Sequence, residues 1–352
     1  MPGRDDKEAS APKLAGAKCD CQGDGENMTS PSLPAALKAA LDAKLEGLSR
    51  NDVAIRAAAI SKTYRDGGNS GAITSATDAL AYALARMPAT YAAVAACLNA
   101  LGEAAPDFAP QSLLDVGAGP GTASFAATEA FASLTALTLL DANPALRALA
   151  RDLSRGQPRF DGLNYEQGEA RALLATADPA DLVIASYLIG ELGEAERNTL
   201  TGLLWDRTRD TLVIVEPGTP AGYARIIKSR ARLIAQGAHV AAPCPHDGRC
   251  PLAAPDWCHF AQRLARSRAH MQVKGAELPF EDEKFSYVVL TRRPVAVRAA
   301  RVLAQPLAGK AEIAAKLCTT GGVHIARVPR RDKAAYADAR RWRWGDAVMK
   351  ES

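Results

Sequence analysis

Apolar residues recur every three or four positions from Leu33 to about Leu101, and this spacing predicts helices. The pattern is carried by LPAALKAALDAKLEGL, DVAIRAAAISKTYRD and ATDALAYALARMPATYAAVAACLNAL. It is interrupted at Asn51, Gly67, Gly68 and Pro88. We therefore expect an N-terminal helical domain over residues 31–108. The preceding residues 1–30 are polar and aperiodic, and we predict that they are disordered.

The period changes after Pro110, where short apolar runs alternate with helical stretches. The runs are SLLDVGAG, LTALTLLDAN, DLVIASYLI and DTLVIVEPG, and FSYVVLT follows later. This order is typical of an α/β fold with a parallel, doubly wound sheet. We predict a sheet domain over residues 109–294, with a cysteine-rich insertion at about 240–262, followed by a basic C-terminal segment over residues 295–352.

Charge is distributed unevenly along the 352 residues. The net charge is only +4, yet residues 291–352 contain 14 Lys and Arg against 5 Asp and Glu. A composition that is 48% hydrophobic and 23% charged excludes collagen-like, coiled-coil and wholly disordered chains. A basic segment beside a mildly acidic body is a candidate nucleic-acid surface.

No run approaches the ~20 uncharged apolar residues of a membrane helix, and MPGRDDKEAS resembles neither a secretory signal nor a transit peptide. We expect a soluble intracellular protein. The seven cysteines are too few for a secreted disulfide scaffold. Cys97 lies in an Ala-rich helical stretch and is interpreted as a buried, inert thiol, whereas Cys19 and Cys21 are interpreted as incidental thiols of the tail.

The run LLDVGAGPGTASFAA is a candidate ligand loop between a strand and a helix. It contains Asp115, Gly117, Gly119 and Gly121, and a second strand ends at Asp141. Glycines permit a sharp turn and a close ligand, but dinucleotide and adenosylmethionine enzymes both use such loops. The G-x-G-x-G spacing, the acidic residue before the turn and a carboxylate placed for ribose hydroxyls favour adenosylmethionine. A sheet without a ligand is the alternative.

No catalytic residue is predicted. LLDVGAGPGTASFAA resembles motif I of the class I methyltransferases, and DLVIASYLIGEL occupies the fourth-strand position at which those enzymes carry their catalytic motif. It contains neither an Asn-Pro-Pro-Tyr sequence nor a cysteine. Ser186, Tyr187 and Glu191 are available there, and a strand end and a helix cap explain them equally well.

Three cysteines define the insertion. Cys244, Cys250 and Cys258 are spaced C-x5-C-x7-C in a loop rich in Pro and Gly, which buries little apolar surface and is a plausible metal site. Spare potential ligands lie beside them: His246, Asp247 and His259.

The spacing differs from the paired C-x2-4-C hairpins of structural zinc. Iron-sulfur clusters accept irregular spacing and a distant fourth ligand, which here would be Cys318 in AAKLCTTGG. Zinc is the alternative, because thiolates bind both metals. Three reduced, unliganded thiols are a third interpretation.

The order EPGTPAGY, APCPHDGRCPL, WCHFAQRLARS, FEDEKFSYVVLTRR and LCTTGG resembles the methyltransferase-like small-ribosomal-subunit family. This family comprises mitochondrial small-subunit assembly proteins and their bacterial relatives. YALARMPATYAAV and LLDVGAGPGTASFAA also fit, so the resemblance covers about Leu33 to Asp346.

The resemblance implies a class I methyltransferase fold that binds small-subunit ribosomal RNA during assembly and carries a 4Fe-4S cluster. The implied cluster ligands are Cys244, Cys250, Cys258 and Cys318, and the implied adenosylmethionine loop runs from Asp115 to Gly121. Because the catalytic motif is missing, the sequence does not decide whether this protein transfers methyl groups.

A basic helix and the strand after the insertion extend the candidate RNA surface. Their basic residues are Arg225, Lys228, Arg230, Arg232, Arg263, Arg266 and Arg268. If Cys318 joins the insertion cysteines, the cluster holds these residues and the C-terminal segment in one surface facing phosphates. Trp342 and Trp344 either stack on unpaired bases or anchor the C-terminal segment on the body.

We therefore expect an rRNA-binding assembly factor of the small ribosomal subunit, monomeric, with no DNA and no membrane partner. One alternative is an active adenosylmethionine-dependent rRNA methyltransferase with a structural metal site. Another is an iron- or redox-sensing regulator of translation. The expected location is the bacterial cytoplasm, with the mitochondrial matrix as the alternative.

Overall fold

The computed structural model describes residues 28–296 and 298–349. Most of the predicted tail, including Cys19 and Cys21, lies outside the described residues. The helices are α1 (Ala35–Leu45), α2 (Arg50–Arg65), α3 (Ala76–Ala104), α4 (Thr122–Ala130), α5 (Pro144–Ser154), α6 (Ala170–Thr176), α7 (Glu194–Asp206), α8 (Pro220–Ile234), α9 (Arg268–Lys274) and α10 (Lys333–Ala339). Within this part of the chain, no helix is both long enough and apolar enough to cross a bilayer.

Eight strands of the described chain form the central sheet. They are β1 (Ser112–Val116), β2 (Ala136–Asp141), β3 (Asn164–Gln167), β4 (Ala180–Ser186), β5 (Thr208–Pro217), β6 (His239–Ala242), β7 (Phe260–Ala265) and β8 (Phe280–Thr291). Their order is β3-β2-β1-β4-β5-β8-β6, and β7 also pairs with β8. The first five strands are parallel, and β8 is antiparallel to β5. The predicted α/β, doubly wound sheet of the class I methyltransferase type is confirmed.

The N-terminal helices pack on one face of this sheet. A single apolar core contains Leu37 of α1, Val53 of α2 and Leu98 of α3, together with Leu139 of β2 and Val213 of β5. A second core lies on the other face, beneath α6, α7 and α8. The two cores bury both faces of the parallel strands, which accounts for their nearly continuous apolar sequences. The predicted domain limits at residues 108 and 294 stay predictions.

Helix α3 continues through Pro88, so the predicted break at that residue is wrong. Its start is fixed by a capping box, in which Ser75 Oγ accepts from the Asp78 amide (3.1 Å) and the Asp78 carboxylate accepts from the Ser75 amide (3.0 Å). Arg56 of α2 adds an ion pair to Asp78 at 2.7 Å. The free energy gained by burying Cys97 and most other α3 side chains exceeds the cost of the backbone hydrogen bond that Pro88 cannot form. The predicted burial of Cys97 is confirmed.

The basic C-terminal segment is a second sheet rather than an extended tail, which the sequence patterns did not predict. Its strands are β9 (Ala300–Val302), β10 (Leu307–Ala308), β11 (Glu312–Thr319), β12 (Gly322–Pro329) and β13 (Ala347–Val348). The β11–β12 hairpin pairs Glu312 with Pro329 at one end and Thr319 with Gly322 at its turn. Apolar residues of β9 and β11 form a small separate hydrophobic core beneath this sheet.

Helix α8 begins so close to β5 that only glycine fits at position 222. A Cβ on Gly222 would lie 1.9 Å from the carbonyl oxygen of Pro217. We expect Gly222→Ala to lower the free energy of unfolding by about 2 kcal/mol or more, because one of the two backbones has to move. Denaturant unfolding would measure the change. Gly202→Ala in α7 is the matched control, since the nearest atom lies 4.0 Å away. Equal stability of the two variants would contradict the prediction.

Candidate functional site

The glycine loop lies between β1 and α4, at the carboxyl edge of the parallel strands. Gly117, Gly119 and Gly121 have φ angles of +70°, +54° and +80°. A Cβ on Gly117 would also lie 2.9 Å from Cδ1 of Leu188. Left-handed backbone and close packing explain why glycine occupies this turn.

The Asp115 carboxylate is fully buried below this loop. Its Oδ2 accepts hydrogen bonds from the backbone N–H (3.1 Å) and the hydroxyl (2.7 Å) of Ser124 in α4. Its Oδ1 has no hydrogen-bond partner among the described residues. Burial raises the pKa of Asp115 to about 7 despite the two bonds from Ser124. The carboxylate therefore ties β1 to α4, and sequence reasoning missed Ser124 as its partner.

Asp141, at the end of β2, faces the same loop. Its Oδ2 accepts from the Gly119 amide at 2.8 Å, and its Oδ1 accepts from the Asn143 amide at 2.7 Å. Burial raises its pKa, and these amide bonds oppose the rise. A carboxylate offers about four lone-pair positions, and three backbone amides donate to this one, so Asp141 can still accept a hydrogen bond from a diol such as a ribose.

The N-terminal region closes over this edge of the sheet. Asn143 Nδ2 donates to the carbonyls of Ser70 (2.8 Å) and Ile73 (2.9 Å), in the turn between α2 and α3. Glu191, after β4, faces the same region, and burial together with the charge of Asp141 raises its pKa to about 7. Tyr187 donates to Oε1 of Glu283 at 2.8 Å and is held away from a substrate role. The edge thus holds acidic and hydrogen-bonding groups, and none of them forms a recognisable catalytic pair.

The four C-terminal cysteines line one cavity. Cys244 and Cys250 lie in the loop after β6, Cys258 lies just before β7, and Cys318 lies on β11 of the second sheet. Among the described residues, no three His, Cys, Asp or Glu side chains are grouped closely enough to hold a single metal ion. The structure thus brings Cys318 together with three thiols that precede it by 60 or more residues, and the four thiols line a cavity.

Helix α8 supplies one wall of this cavity. Tyr223, Ile226, Ile227 and Arg230 face it, and their spacing of three, four and seven residues defines one helical face. The Tyr223 hydroxyl forms a hydrogen bond with Sγ of Cys250 at 3.1 Å. Sequence reasoning missed this face, although the spacing in GYARIIKSR was visible.

Two buried arginines complete the wall. Arg230 is 3% exposed and Arg301 of β9 is 5% exposed. Arg230 donates through Nη2 to the His246 carbonyl at 2.6 Å. Arg301 is paired in register with Cys318, and its guanidinium donates to the carbonyls of Pro243 (3.3 Å) and Gly345 (2.8 Å).

Burial controls the protonation of the thiols. It raises the pKa of Cys318 to about 12 and also raises the pKa of Cys258, and neighbouring cysteines add to both shifts. Burial also raises the pKa of Cys244, whereas the guanidinium of Arg230 lowers it. Four mutually repelling thiolates in this cavity therefore need a cation to be stable, and cation binding would release protons.

The spare potential ligands of the insertion are engaged elsewhere. Asp247 accepts from the Val240 amide (2.8 Å) and from Arg298 (2.7 Å). The His259 ring stacks on Trp257 with ring centroids 5.0 Å apart. Both residues shape the loop and lie outside the cavity lining.

Three of the predicted RNA-contacting arginines do not face solvent freely. Arg230 is buried in the cavity wall. Arg225 pairs with the buried Glu216 at 2.6 Å, and Arg266 pairs with Glu281 at 2.7 Å. Including them in one open basic surface is therefore wrong, because counts of charge along a sequence do not separate the faces of a helix or strand.

Four basic residues without an ion pair in the described chain lie close together in sequence just after β12, in the turn before α10 and at the two ends of that helix. Arg330, Arg331, Lys333 and Arg340 are exposed and have no carboxylate within ion-pair distance among the described residues, and we name them the C-terminal basic turn. Nearby, Trp344 donates to the His259 carbonyl at 2.9 Å, and Trp342 donates to Asp338 at 3.1 Å. For Trp344 the contact favours anchoring on the body, whereas the contacts of Trp342 lie within the second sheet and its helix and leave both interpretations open.

The sequence profile of the family described as mitochondrial small ribosomal subunit Rsm22 matches residues 76–349. The chain belongs to the Rsm22 family. The resemblance found in its motifs is thereby confirmed.

Two curated relatives give this Rsm22-family chain its context. It is 29% identical over 292 residues to the human ribosome assembly protein METTL17, mitochondrial, covering 76% of this chain and 62% of METTL17. It is 27% identical over 320 residues to Rsm22-cox11 tandem protein 2, mitochondrial, of Schizosaccharomyces pombe, covering 76% of this chain and 42% of that protein. The chain thus spans less than two thirds of the length of either relative.

Solved methyltransferases are distant structural neighbours. One is a magnesium protoporphyrin IX methyltransferase from Synechocystis with bound SAH, with 12% identity, a TM-score of 0.39 and coverage of 58% of this chain and 84% of that chain. Another is precorrin-6y C5,15-methyltransferase from Geobacter metallireducens, with 14% identity, a TM-score of 0.37 and coverage of 55% and 86%. Likeness at this level carries no inference about substrate.

Proposed function

We propose that this chain is an rRNA-binding assembly factor of the small ribosomal subunit, in which a 4Fe-4S cluster joins the second sheet to the methyltransferase-like body. Membership of the Rsm22 family supports the ribosomal role. The observation that carries the proposal is the single cavity lined by Cys244, Cys250, Cys258 and Cys318.

The donor set fits such a cluster. In a four-iron cluster each thiolate binds its own iron atom, so the four sulfurs surround the group. A zinc ion instead draws all its ligands to about 2.3 Å. Thiols arranged around a cavity, with Tyr223 bonded to one of them and two arginines in the wall, suit the larger anionic group better. When bound, the cluster would supply cross-links that the protein's own apolar surface does not.

The cysteines come from two parts of the chain, and this gives the cluster a structural role. Three belong to the β6–β7 connection, whereas Cys318 belongs to the second sheet. Direct contacts between these parts include three polar ones, Arg301 to Pro243, Trp344 to His259, and Lys316 to Asp256, and the packing of the Trp344 ring against the main apolar core. Ligation by all four thiolates would fix the C-terminal basic turn relative to the body.

RNA contacts are proposed for the C-terminal basic turn. Its four cations are free of carboxylate partners within the described chain, so they can neutralise phosphates without breaking an ion pair. The decisive experiment is equilibrium binding of the anaerobically purified protein to small-subunit rRNA, with large-subunit rRNA fragments of equal length for comparison. We expect tighter binding to small-subunit rRNA and a linear loss of log affinity with log salt. Equal affinity for both RNAs would contradict the proposed role.

Adenosylmethionine binding at the glycine loop is a second proposal, supported by the remaining lone-pair position of Asp141 beside Gly119. Asp141→Ala should weaken binding of S-adenosylhomocysteine roughly ten- to hundredfold, the value of a hydrogen bond to a carboxylate. Isothermal titration calorimetry would measure this, with exposed Asp161→Ala as the matched control. An unchanged affinity in Asp141→Ala would exclude this site, and no heat with the wild-type protein would exclude the ligand. Methyl transfer to rRNA requires this binding and is the enzymatic alternative.

The cellular location of the protein would be that of the ribosome that it helps to assemble. Both curated relatives are named as mitochondrial proteins, which supports the mitochondrial matrix over the bacterial cytoplasm.

A further inference from the structure

Arg230 carries a buried charge that the described protein does not neutralise. The side chain is 3% exposed, and its Nε has no hydrogen-bond partner among the described residues. Its polar partners are the His246 carbonyl, which Nη2 reaches at 2.6 Å, and the side chain of Cys244, one of the cavity thiols. Burying a guanidinium with so little compensation is costly in free energy, so an anion beside Arg230 would stabilise it.

The space that Arg230 faces is the cysteine cavity. The residue lies two helical turns after Tyr223 on the same face of α8, and both line the cavity with all four thiols. On the opposite wall Arg301 is nearly as buried, and its closest carboxylate, Glu103, is 3.8 Å away and partly exposed. Two guanidinium groups thus flank four potential thiolates.

We propose that Arg230, with Arg301 as its counterpart, is the charge-balancing residue of an anionic metal-thiolate centre in this cavity. The proposal rests on the proposed cluster. Four thiolates around a 4Fe-4S core of charge +2 carry a net charge of −2, which two guanidinium groups match. On this proposal Arg230 does not contact RNA. It helps to retain the cluster and sets its reduction potential.

Arg230→Met and Arg230→Lys test the role of the charge. The proteins are purified anaerobically as full chains, reconstituted with ferrous iron and sulfide, and exposed to an iron chelator. We expect Arg230→Met to lose iron about ten- to a hundredfold faster than the wild-type protein, the usual cost of removing a group that supports metal ligands. Its midpoint reduction potential should fall, because a positive charge favours the more negative reduced state. Arg230→Lys should retain most of both properties.

A stability measurement separates this role from simple packing. In the cluster-free protein, Arg230→Met should unfold at or above the wild-type temperature, because it removes a buried, uncompensated charge. In the loaded protein it should unfold below the wild-type temperature. Arg232→Met, an exposed arginine on the same helix, is the matched control and should behave as wild type.

The outcomes separate this inference from the proposed function. If the wild-type protein binds no iron and sulfide, the proposed cluster fails and the charge-balancing role fails with it. If the wild-type protein is loaded, and Arg230→Met keeps the same iron retention and potential, the proposed cluster stands and the role of Arg230 is overturned. An equal loss of stability in loaded and cluster-free protein would likewise assign Arg230 to packing alone.

Discussion

Replacing Cys318 with serine should remove the cluster and release the second sheet from the body. Cys318 is the ligand candidate that lies on β11, so its loss leaves three thiols that all belong to the β6–β7 connection. We expect the affinity for iron to fall at least about a hundredfold, beyond the cost of removing a supporting residue. The visible absorption of the anaerobically purified protein should disappear, and its iron and acid-labile sulfide should fall to background.

The same variant should become sensitive to protease between the two sheets. The second sheet is then held on the body by contacts such as Arg301 to Pro243 and Trp344 to His259. Limited proteolysis of wild-type and variant protein would measure this difference.

Cys97→Ala is the matched control for Cys318→Ser. Cys97 is fully buried in α3 and is not part of the cavity lining, so its replacement costs packing but should leave iron and colour unchanged. If Cys318→Ser keeps the iron content of the wild-type protein while Cys250→Ser loses it, the fourth ligand is a group other than Cys318. A colourless wild-type protein that contains zinc would contradict the iron-sulfur assignment itself.

The central sheet was predictable because its strands are buried on both faces. Continuous apolar runs such as those of β1, β4 and β5 indicate parallel strands covered by helices when helical stretches separate them. The second sheet was not predicted, since β9, β10 and β13 have only two or three residues and the longer β11 and β12 lack continuous apolar runs. In β11 the buried stripe is Ile313, Ala315 and Leu317, and the alanine at position 314 and the buried Cys318 hide the alternation.

The candidate site was predictable where a motif carries its own chemistry. The glycines and cysteines were found this way, because few other residues provide positive φ angles or thiolates. The residues that support them were not, since their roles depend on contacts across the fold. Ser124 is recognised only by its bond to Asp115, and Arg301 only by its register with Cys318. Arg230 was assigned to the wrong surface, because composition counts its charge but not the face of α8 on which it lies.

Removing charge from the C-terminal basic turn should weaken rRNA binding more than any other surface change of equal charge. We expect the combined variant Arg330→Gln, Arg331→Gln and Lys333→Gln to reduce the dependence of log affinity on log salt. Each lost phosphate contact lowers the slope by about 0.7 on single-stranded RNA. At low salt the affinity should therefore fall by at least about tenfold, and filter binding over a series of salt concentrations would measure both quantities. Cluster content should stay at the wild-type level, because these side chains lie outside the cavity lining.

A second combined variant serves as the matched control. Arg151, Arg155 and Arg171 are exposed on the body of the methyltransferase-like domain, and replacing them with glutamine removes the same number of charges. If affinity depended on net charge alone, the slope of log affinity against log salt would decrease equally in both variants. That result would exclude a defined RNA surface at the C-terminal basic turn. If the turn contacts phosphates directly, the control keeps the wild-type slope. If the proposed cluster fixes the turn to the body through Cys318 of β11, the loss in Cys318→Ser should resemble the loss caused by the three basic substitutions.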